Sequence, residues 1–244
     1  MACLHPIRPG WNHPGGLATR LVLPPRFLAP LPDLEPLEAA RLAATLAAAG
    51  PTYQAAVLAG MAPGDTVLVL GSPGPGALPL RLLVAMGLRP VWITTHPEPV
   101  PEGVRLTLHP DVDQLPSPRR HVLDLWPTPA SVAIAQTLAG TCLSVTLLGP
   151  GPPPRLDLER LLAGQAVLRW VRDLHPHLVL DILALTRTPT FTGGGLQSGE
   201  AGGRSSPFET VDMAGMIPAF AALSQGNAPT WPVLVNASPT LTAR

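Results

Sequence analysis

The sequence contains no lysine: all 16 of its basic residues are arginine. That absence excludes a Schiff-base lysine, the phosphate-binding lysine of a P-loop and a Tyr-x-x-x-Lys dehydrogenase dyad. Tyrosine occurs once, at Tyr53, and aromatics make up only 4% of the chain, too few for a base-stacking platform or a carbohydrate-binding face. Charged residues are 13% and balance, 16 acidic against 16 basic, so there is no basic surplus for a nucleic-acid backbone. The two cysteines, Cys3 and Cys142, supply neither a zinc site of their own nor a disulfide framework. Cys142 sits in an apolar run, where a free buried thiol is the commoner state. No stretch reaches the roughly 20 apolar residues of a membrane span, because Pro, Arg or Asp interrupts each run. The first residues lack the charged-then-apolar order of a secretion signal. The expectation is a cytoplasmic protein that engages neither nucleic acid nor membrane.

Proline (33) and glycine (23) are plentiful, yet 46% of the 244 residues are apolar, enough for a sizeable core and against disorder. Residues 1–33 read as loops with one or two short strands. Residues 35–49 (EPLEAARLAATLAAA) read as a helix with Asp33 as its cap and Gly50-Pro51 as its stop, followed by a second helix over 52–59. Thr66–Leu70 is an unbroken apolar run, the pattern of a strand buried on both faces of a parallel sheet. A glycine-rich turn at 71–76, a helix over 77–86 and a strand over 90–94 complete one crossover unit. Looser copies follow: strand 121–126, helix 129–139, strand 142–148, helix 156–164, strand 166–171 and helix 177–185. A flexible Gly-rich stretch at 193–203 precedes a helix near 213–224 and a last strand at 231–235. Such alternation predicts an α/β protein with a parallel sheet and helices on both faces.

The turn Gly71-Ser72-Pro73-Gly74-Pro75-Gly76 is the one motif that carries chemistry. In a dinucleotide fold the first glycine makes the tight turn, the second admits the pyrophosphate to the backbone, and the third lets the helix pack closely. Gly71 and Gly76 suit the first and third roles. Pro73 takes the second, adding bulk and removing an N–H, with Gly74 beside it to open the loop. Thr94 and Thr95 stand where an acidic residue would hold the adenosine ribose. Packing alone is the competing explanation of the turn.

These residues add up to a resemblance. Gly15–Asp33, the stretch from Ala55 to Val69 (with Ala-Gly-Met-Ala-Pro-Gly-Asp-Thr-Val-Leu-Val), Asp124, Pro129-Ala130, Gly140-Thr141 to Gly149, Ile217–Phe220, Leu223, Gly226 and Val233–Val235 resemble, in order, the zinc-type alcohol dehydrogenases of the medium-chain dehydrogenase/reductase superfamily. The resemblance implies a Rossmann-like doubly wound parallel sheet with a remnant of a GroES-like β domain built from the two ends of the chain. It divides the chain into a GroES-like remnant with a linking helix (1–45), a nucleotide-binding domain (46–190), a flexible linker (191–204) and a C-terminal helix and strand returning to the remnant (205–244). It implies NAD or NADP held at Gly71, Ser72, Gly74, Gly76, Thr94, Thr95 and Gly149, and hydride transfer to a carbonyl or enoyl substrate.

Several departures temper that implication. The family's zinc ligands and proton-relay hydroxyl have no counterpart in the chain, so no zinc is expected and no catalytic residue is nominated. Ala48 takes the place of a further cysteine, Cys3 is read as a vestige of the structural-zinc lobe, and 96–118 is expected to have lost a crossover unit. The alternative is a catalytically inactive relative acting by association, as a homodimer or with a partner protein covering an exposed crevice.

Other candidates have plainer readings. His175 and His177 are two metal ligands without a third, or loop residues. Asp124 faces the crevice, or bonds to backbone. Ser131 and Ser144 lack a nucleophile elbow. Arg169 and Arg172, flanking Trp170, read as a solvated strand face, and Tyr53 as core or cleft lining.

Overall fold

In a computed structural model, the described residues are 12–13, 22–25, 28–74, 77–94, 100–107, 120–149, 155–157, 159, 161, 166–192, 208–211, 218, 221–222 and 231–234. Six strands, β1 (Thr66–Leu70), β2 (Arg89–Ile93), β3 (Arg105–Thr107), β4 (Arg120–Asp124), β5 (Ser144–Leu148) and β6 (Val167–Val171), form one sheet in the order β3-β2-β1-β4-β5-β6. Every pairing is parallel. Strand order reverses at β1, whose neighbours are β2 on one side and β4 on the other, which makes the β1/β4 junction the topological switch point. All five residues of β1 and all five of β5 are buried, as a strand sandwiched between helix layers requires.

The alternation of side chains splits the sheet into two faces. On one, Leu68, Leu70, Val122, Val145 and Leu147 pack on Ala135 and Leu138 of α3 (Pro129–Leu138). On the other, Val67, Val69, Trp92 and Leu123 pack on Ala55 and Ala56 of α1 (Pro36–Leu58) and on Leu80 and Leu83 of α2 (Leu78–Ala85). Outside α1 lie α4 (Val179–Thr186), whose Ile182 and Leu183 meet Leu42, and the short α5 (Pro189–Thr192), whose Phe191 meets Ala49 and Leu78. The doubly wound parallel sheet of the sequence reading is therefore in place.

Three expectations need correcting. The helix expected to stop at Gly50-Pro51, with a second over 52–59, does not stop: α1 runs unbroken from Pro36 to Leu58, through Pro51. Gly50 eases this, because part of the clash that keeps the residue before a proline out of helical geometry comes from its Cβ, and Gly50 has none. A Cβ there would also meet Leu174 Cδ2 at 2.9 Å, so the β6–α4 loop seats directly on the helix. Asp33 is not the cap; Glu35 holds that position without a side-chain bond, and Pro36 starts the first turn. The crossover expected to be lost within 96–118 keeps its strand, β3, three residues long at the sheet's edge.

Near the C-terminus the strand expected at 231–235 is β8 (Trp231–Leu234), paired in parallel with β7 (Phe208–Val211), which the sequence reading left unassigned. Of the helices expected over 156–164 and 213–224, Glu159, Leu161, Pro218, Ala221 and Ala222 are helical and the rest lie outside the described residues. The 193–203 stretch, Gly15–Arg20 and Cys3 lie outside them too.

Candidate functional site at the carboxyl edge of the sheet

Gly71 ends β1 with φ +83, a left-handed conformation that glycine adopts without strain. A Cβ at this position would meet the Trp126 backbone N at 3.0 Å and Asp124 Oδ1 at 3.4 Å. The first glycine is thus required by the close approach of the segment after β4, whose Leu125 N donates to Leu70 O at 2.9 Å. On the other side, Trp92 Nε1 donates to Gly71 O at 3.0 Å, which ties the turn to β2. Trp92 is itself 1% exposed, so an indole buried for packing also finds its polar partner here.

Beyond Gly71 the chain turns through Ser72, the buried Pro73 and Gly74, which has φ +71. Gly74 N donates to Ser72 Oγ at 3.3 Å, and Ala77 N donates to Gly74 O at 3.0 Å. Ala77 enters α2 at φ +48, the one non-glycine with positive φ among the described residues. Such a residue costs energy and persists only where its surroundings impose it. Helix geometry leaves the first-turn amides of α2 without intrahelical acceptors. Pro79 has none to offer, so Leu78 and Leu80 are the remaining donors at this end.

Asp124 ends β4 next to Gly71. It is fully buried, accepts from Trp126 N at 3.2 Å through Oδ1 and from Ser131 Oγ at 2.6 Å through Oδ2. Burial pushes its carboxyl above the usual carboxylate range, and the bonds from Ser131 and Trp126 pull against that. Ser131 also closes a capping box with Thr128 at the start of α3. Further along the same edge, Gly149 ends β5 at φ +131, and a Cβ on it would lie 3.7 Å from Pro127. The edge therefore gathers Gly71, Ser72 and Gly74, the Asp124–Pro127 segment and Gly149 around the switch point. Thr94 follows β2, donating its N to Thr107 O at 3.1 Å. Gly76 and Thr95 lie outside the described residues.

The remaining candidates fall elsewhere. Ser144 does meet a histidine: His121 Nδ1 lies 2.8 Å from Ser144 Oγ, and His121 Nε2 lies 3.4 Å from Asp65 Oδ2. All three are buried at the amino edge of the sheet, opposite the carboxyl ends of the strands. Tyr53 does not line the cleft; it packs beside Phe191 and Ile182, and burial, with Asp181 beside it, raises its phenol pKa. Cys142 is buried and free, and burial likewise raises its thiol pKa, the opposite of a reactive cysteine. His175 and His177 are exposed, with their Nδ1 atoms 2.6 Å apart. No group of three His, Cys, Asp or Glu that could hold a metal occurs among the described residues. A cavity of about 300 Å³ between Arg81, Glu102 and Thr190 lies against the turn preceding β3, away from the carboxyl edge.

Sequence reasoning found the turn and, separately, Asp124 and Ser131. It missed their mutual bond, for which the Thr128-Pro129-Ala130-Ser131 cap was the available signal. It also missed Trp126, which stands at the crevice 62% exposed.

No family model matches the chain. An alcohol dehydrogenase of Geobacillus stearothermophilus is 34% identical over 97 residues, which is 39% of this chain and 28% of that protein. Among solved structures, E. coli K-12 YhdH with bound NADPH has a TM-score of 0.61 at 17% identity, covering 93% of this chain and 72% of its own. The alcohol dehydrogenase of Aeropyrum pernix has a TM-score of 0.57 at 17% identity, with 93% and 67% covered. Acetophenone reductase of Geotrichum candidum in complex with NAD has a TM-score of 0.55 at 14% identity, with 80% and 55% covered. The chain thus spans little more than a quarter of the curated relative's length and about half of that reductase.

Proposed function

Starting from a chain that is alcohol dehydrogenase-like in sequence and in fold, we propose that it binds a nicotinamide dinucleotide at the β1/β4 switch point and serves as a medium-chain reductase without zinc. One observation carries the reading. Gly71 and Gly74 bring bare backbone to the carboxyl end of β1, directly before the Leu78 and Leu80 amides of α2, as a pyrophosphate requires. Two features narrow the fit without closing it: Pro73 and Pro79 donate nothing, and the Gly74 amide is turned to Ser72. With no acid on β2's end, Thr94 offers no ribose clamp that selects NAD over NADP.

A bound nicotinamide would exchange hydride with a carbonyl or enoyl carbon. The chain's own part is positional. Trp92 fixes Gly71, Asp124 fixes Trp126 and the start of α3, and the Trp126–Pro127 segment flanks the bound group between Gly71 and Gly149. The same reading places the protein in the cytoplasm. A homodimer mate or partner protein covers the crevice beside exposed Trp126.

A second, non-catalytic reading, a dehydrogenase-like subunit acting by association, draws on those two prolines and the engaged Gly74 amide. Calorimetric titration with NADH and NADPH separates the two. Saturable binding, with turnover of a carbonyl or enoyl panel that survives EDTA, supports the reductase. The absence of binding to either at millimolar concentration supports the subunit.

A further inference from the structure

A parallel sheet clad by helices on both faces is expected to be apolar throughout, yet a row of polar side chains crosses one face of this one. Asp65, at the foot of β1, approaches His121 of β4, and His121 meets Ser144 of β5. One step further along the same face stand Thr146 of β5 and Arg169 of β6, paired in register. Their shared face follows from their neighbours: Leu148 and Val171, two residues on in each strand, pack on Ala55 and Ala56 of α1, whereas Val145, Leu147, Leu168 and Trp170 pack on the α3 side.

In the first part of the row each member has a polar neighbour, Asp65 at 3.4 Å from His121 Nε2 and Ser144 Oγ at 2.8 Å from His121 Nδ1; in the second part no such neighbour is found among the described residues. Thr146 is fully buried and its Oγ1 has no hydrogen-bond partner. Arg169 is half-buried, and its Nη1 is shut off from solvent without a partner. Among the described residues no carboxylate forms an ion pair with it. The strand face expected to be solvated is therefore turned inward at Arg169. A guanidinium nitrogen and a hydroxyl left unpaired at register-paired positions of one face are costly, and such groups call for a partner from outside the chain, an ion, a ligand or water. The position also offers access, because β6 is the outermost strand of the sheet among the described residues and Val167, two residues before Arg169, is 51% exposed.

We propose that Thr146 and Arg169 form a binding site for a small oxyanion, a carboxylate or inorganic phosphate, entering at the β6 edge of the sheet. The guanidinium's planar fork matches two oxygens of such a group, and the Thr146 hydroxyl donates to it. The site is separate from the crevice: it lies beside β5 and β6 at mid-strand, not beyond their carboxyl ends. It is also independent of whether the chain binds a dinucleotide.

The test is thermal unfolding of the full chain in acetate and in phosphate, each at constant ionic strength balanced with chloride, for wild type, R169M and T146V. Binding stabilises the folded state by mass action, so wild-type Tm rises with oxyanion concentration to saturation. R169M loses that rise and, freed of a solvent-shielded nitrogen without a partner, unfolds no lower than wild type in oxyanion-free buffer. T146V, nearly isosteric, keeps the fold and needs more oxyanion for the same rise. A response in only one of the two salts identifies the oxyanion class. The guanidinium Nε–H and Nη–H resonances of Arg169, followed by NMR on the wild type during the phosphate and acetate titrations, must move in step with Tm. An unchanged wild-type Tm in both salts, an equal rise in R169M, or a lower Tm of R169M without oxyanion overturns the proposal.

Discussion

Asp124 and Gly71 lie against each other at the switch point: a methyl group on Gly71 would come within 3.4 Å of Asp124 Oδ1 and 3.0 Å of the Trp126 amide that Asp124 holds. The glycine that begins the phosphate-type turn is thus demanded by the chain's own β4 extension, independently of any ligand. Gly71→Ala pays twice, once for φ +83 and once for that contact. We expect a loss of about 1–3 kcal/mol in urea unfolding, with unchanged m-value.

Asp124 gives the protein a pH signature. Its folded pKa lies above the ordinary 3.8, so the folded state binds its proton more tightly than the unfolded state does. Its contribution is fully present below the unfolded value and is lost as pH rises through the folded one. In Asp124→Asn that component is absent. The Tm difference between variant and wild type therefore shifts in the variant's favour as pH is raised from 3.8 upward, read by calorimetry across the acid limb.

Trp92 couples core to turn. Trp92→Phe keeps most of the buried ring but removes the bond to Gly71 O. A cost of about 1–2 kcal/mol is expected, from one lost bond to a now unpaired carbonyl and a small cavity. A larger fractional loss of dinucleotide affinity than of stability, by calorimetry, would show the bond's role in fixing the turn.

Pro51 sits inside α1 and removes the amide that would bond the carbonyl of Ala47. Pro51→Ala restores it, and we expect stabilisation of about 1–2 kcal/mol, below the roughly 3 kcal/mol of an unaccommodated helix proline because Gly50 already relieves part of the strain. Denaturant unfolding measures it.

The sheet was legible because its strands are continuous apolar runs, as at Thr66–Leu70, and runs of that kind have few other homes. The helix through Pro51 was not, because Gly-Pro is an ordinary stop signal, and the close seat of Leu174 over Gly50, 124 positions away in sequence, is visible only in the fold. β7 escaped notice because four residues, Phe208–Val211, carry too short a pattern without their partner β8. At the site, glycine spacing announced the turn, but not which amides would be spent internally. That depends on Ser72 reaching Gly74 and on Ala77 folding back to it. The polar row from Asp65 to Arg169 was invisible for a related reason: its members come from three strands and the turn before β1, and no local pattern links them.

The central claim is that a dinucleotide docks at the carboxyl edge between β1 and β4. Titration of ¹⁵N-labelled protein with NADPH, read as amide shift changes, tests it most directly. The account predicts saturating shifts at Gly71, Ser72, Gly74, Leu78, Leu80, Trp126 and Gly149, with the amino-edge residues Asp65, His121 and Ser144 unmoved. Shifts confined to the Arg81–Glu102 cavity, or none at any amide of the turn, would contradict it.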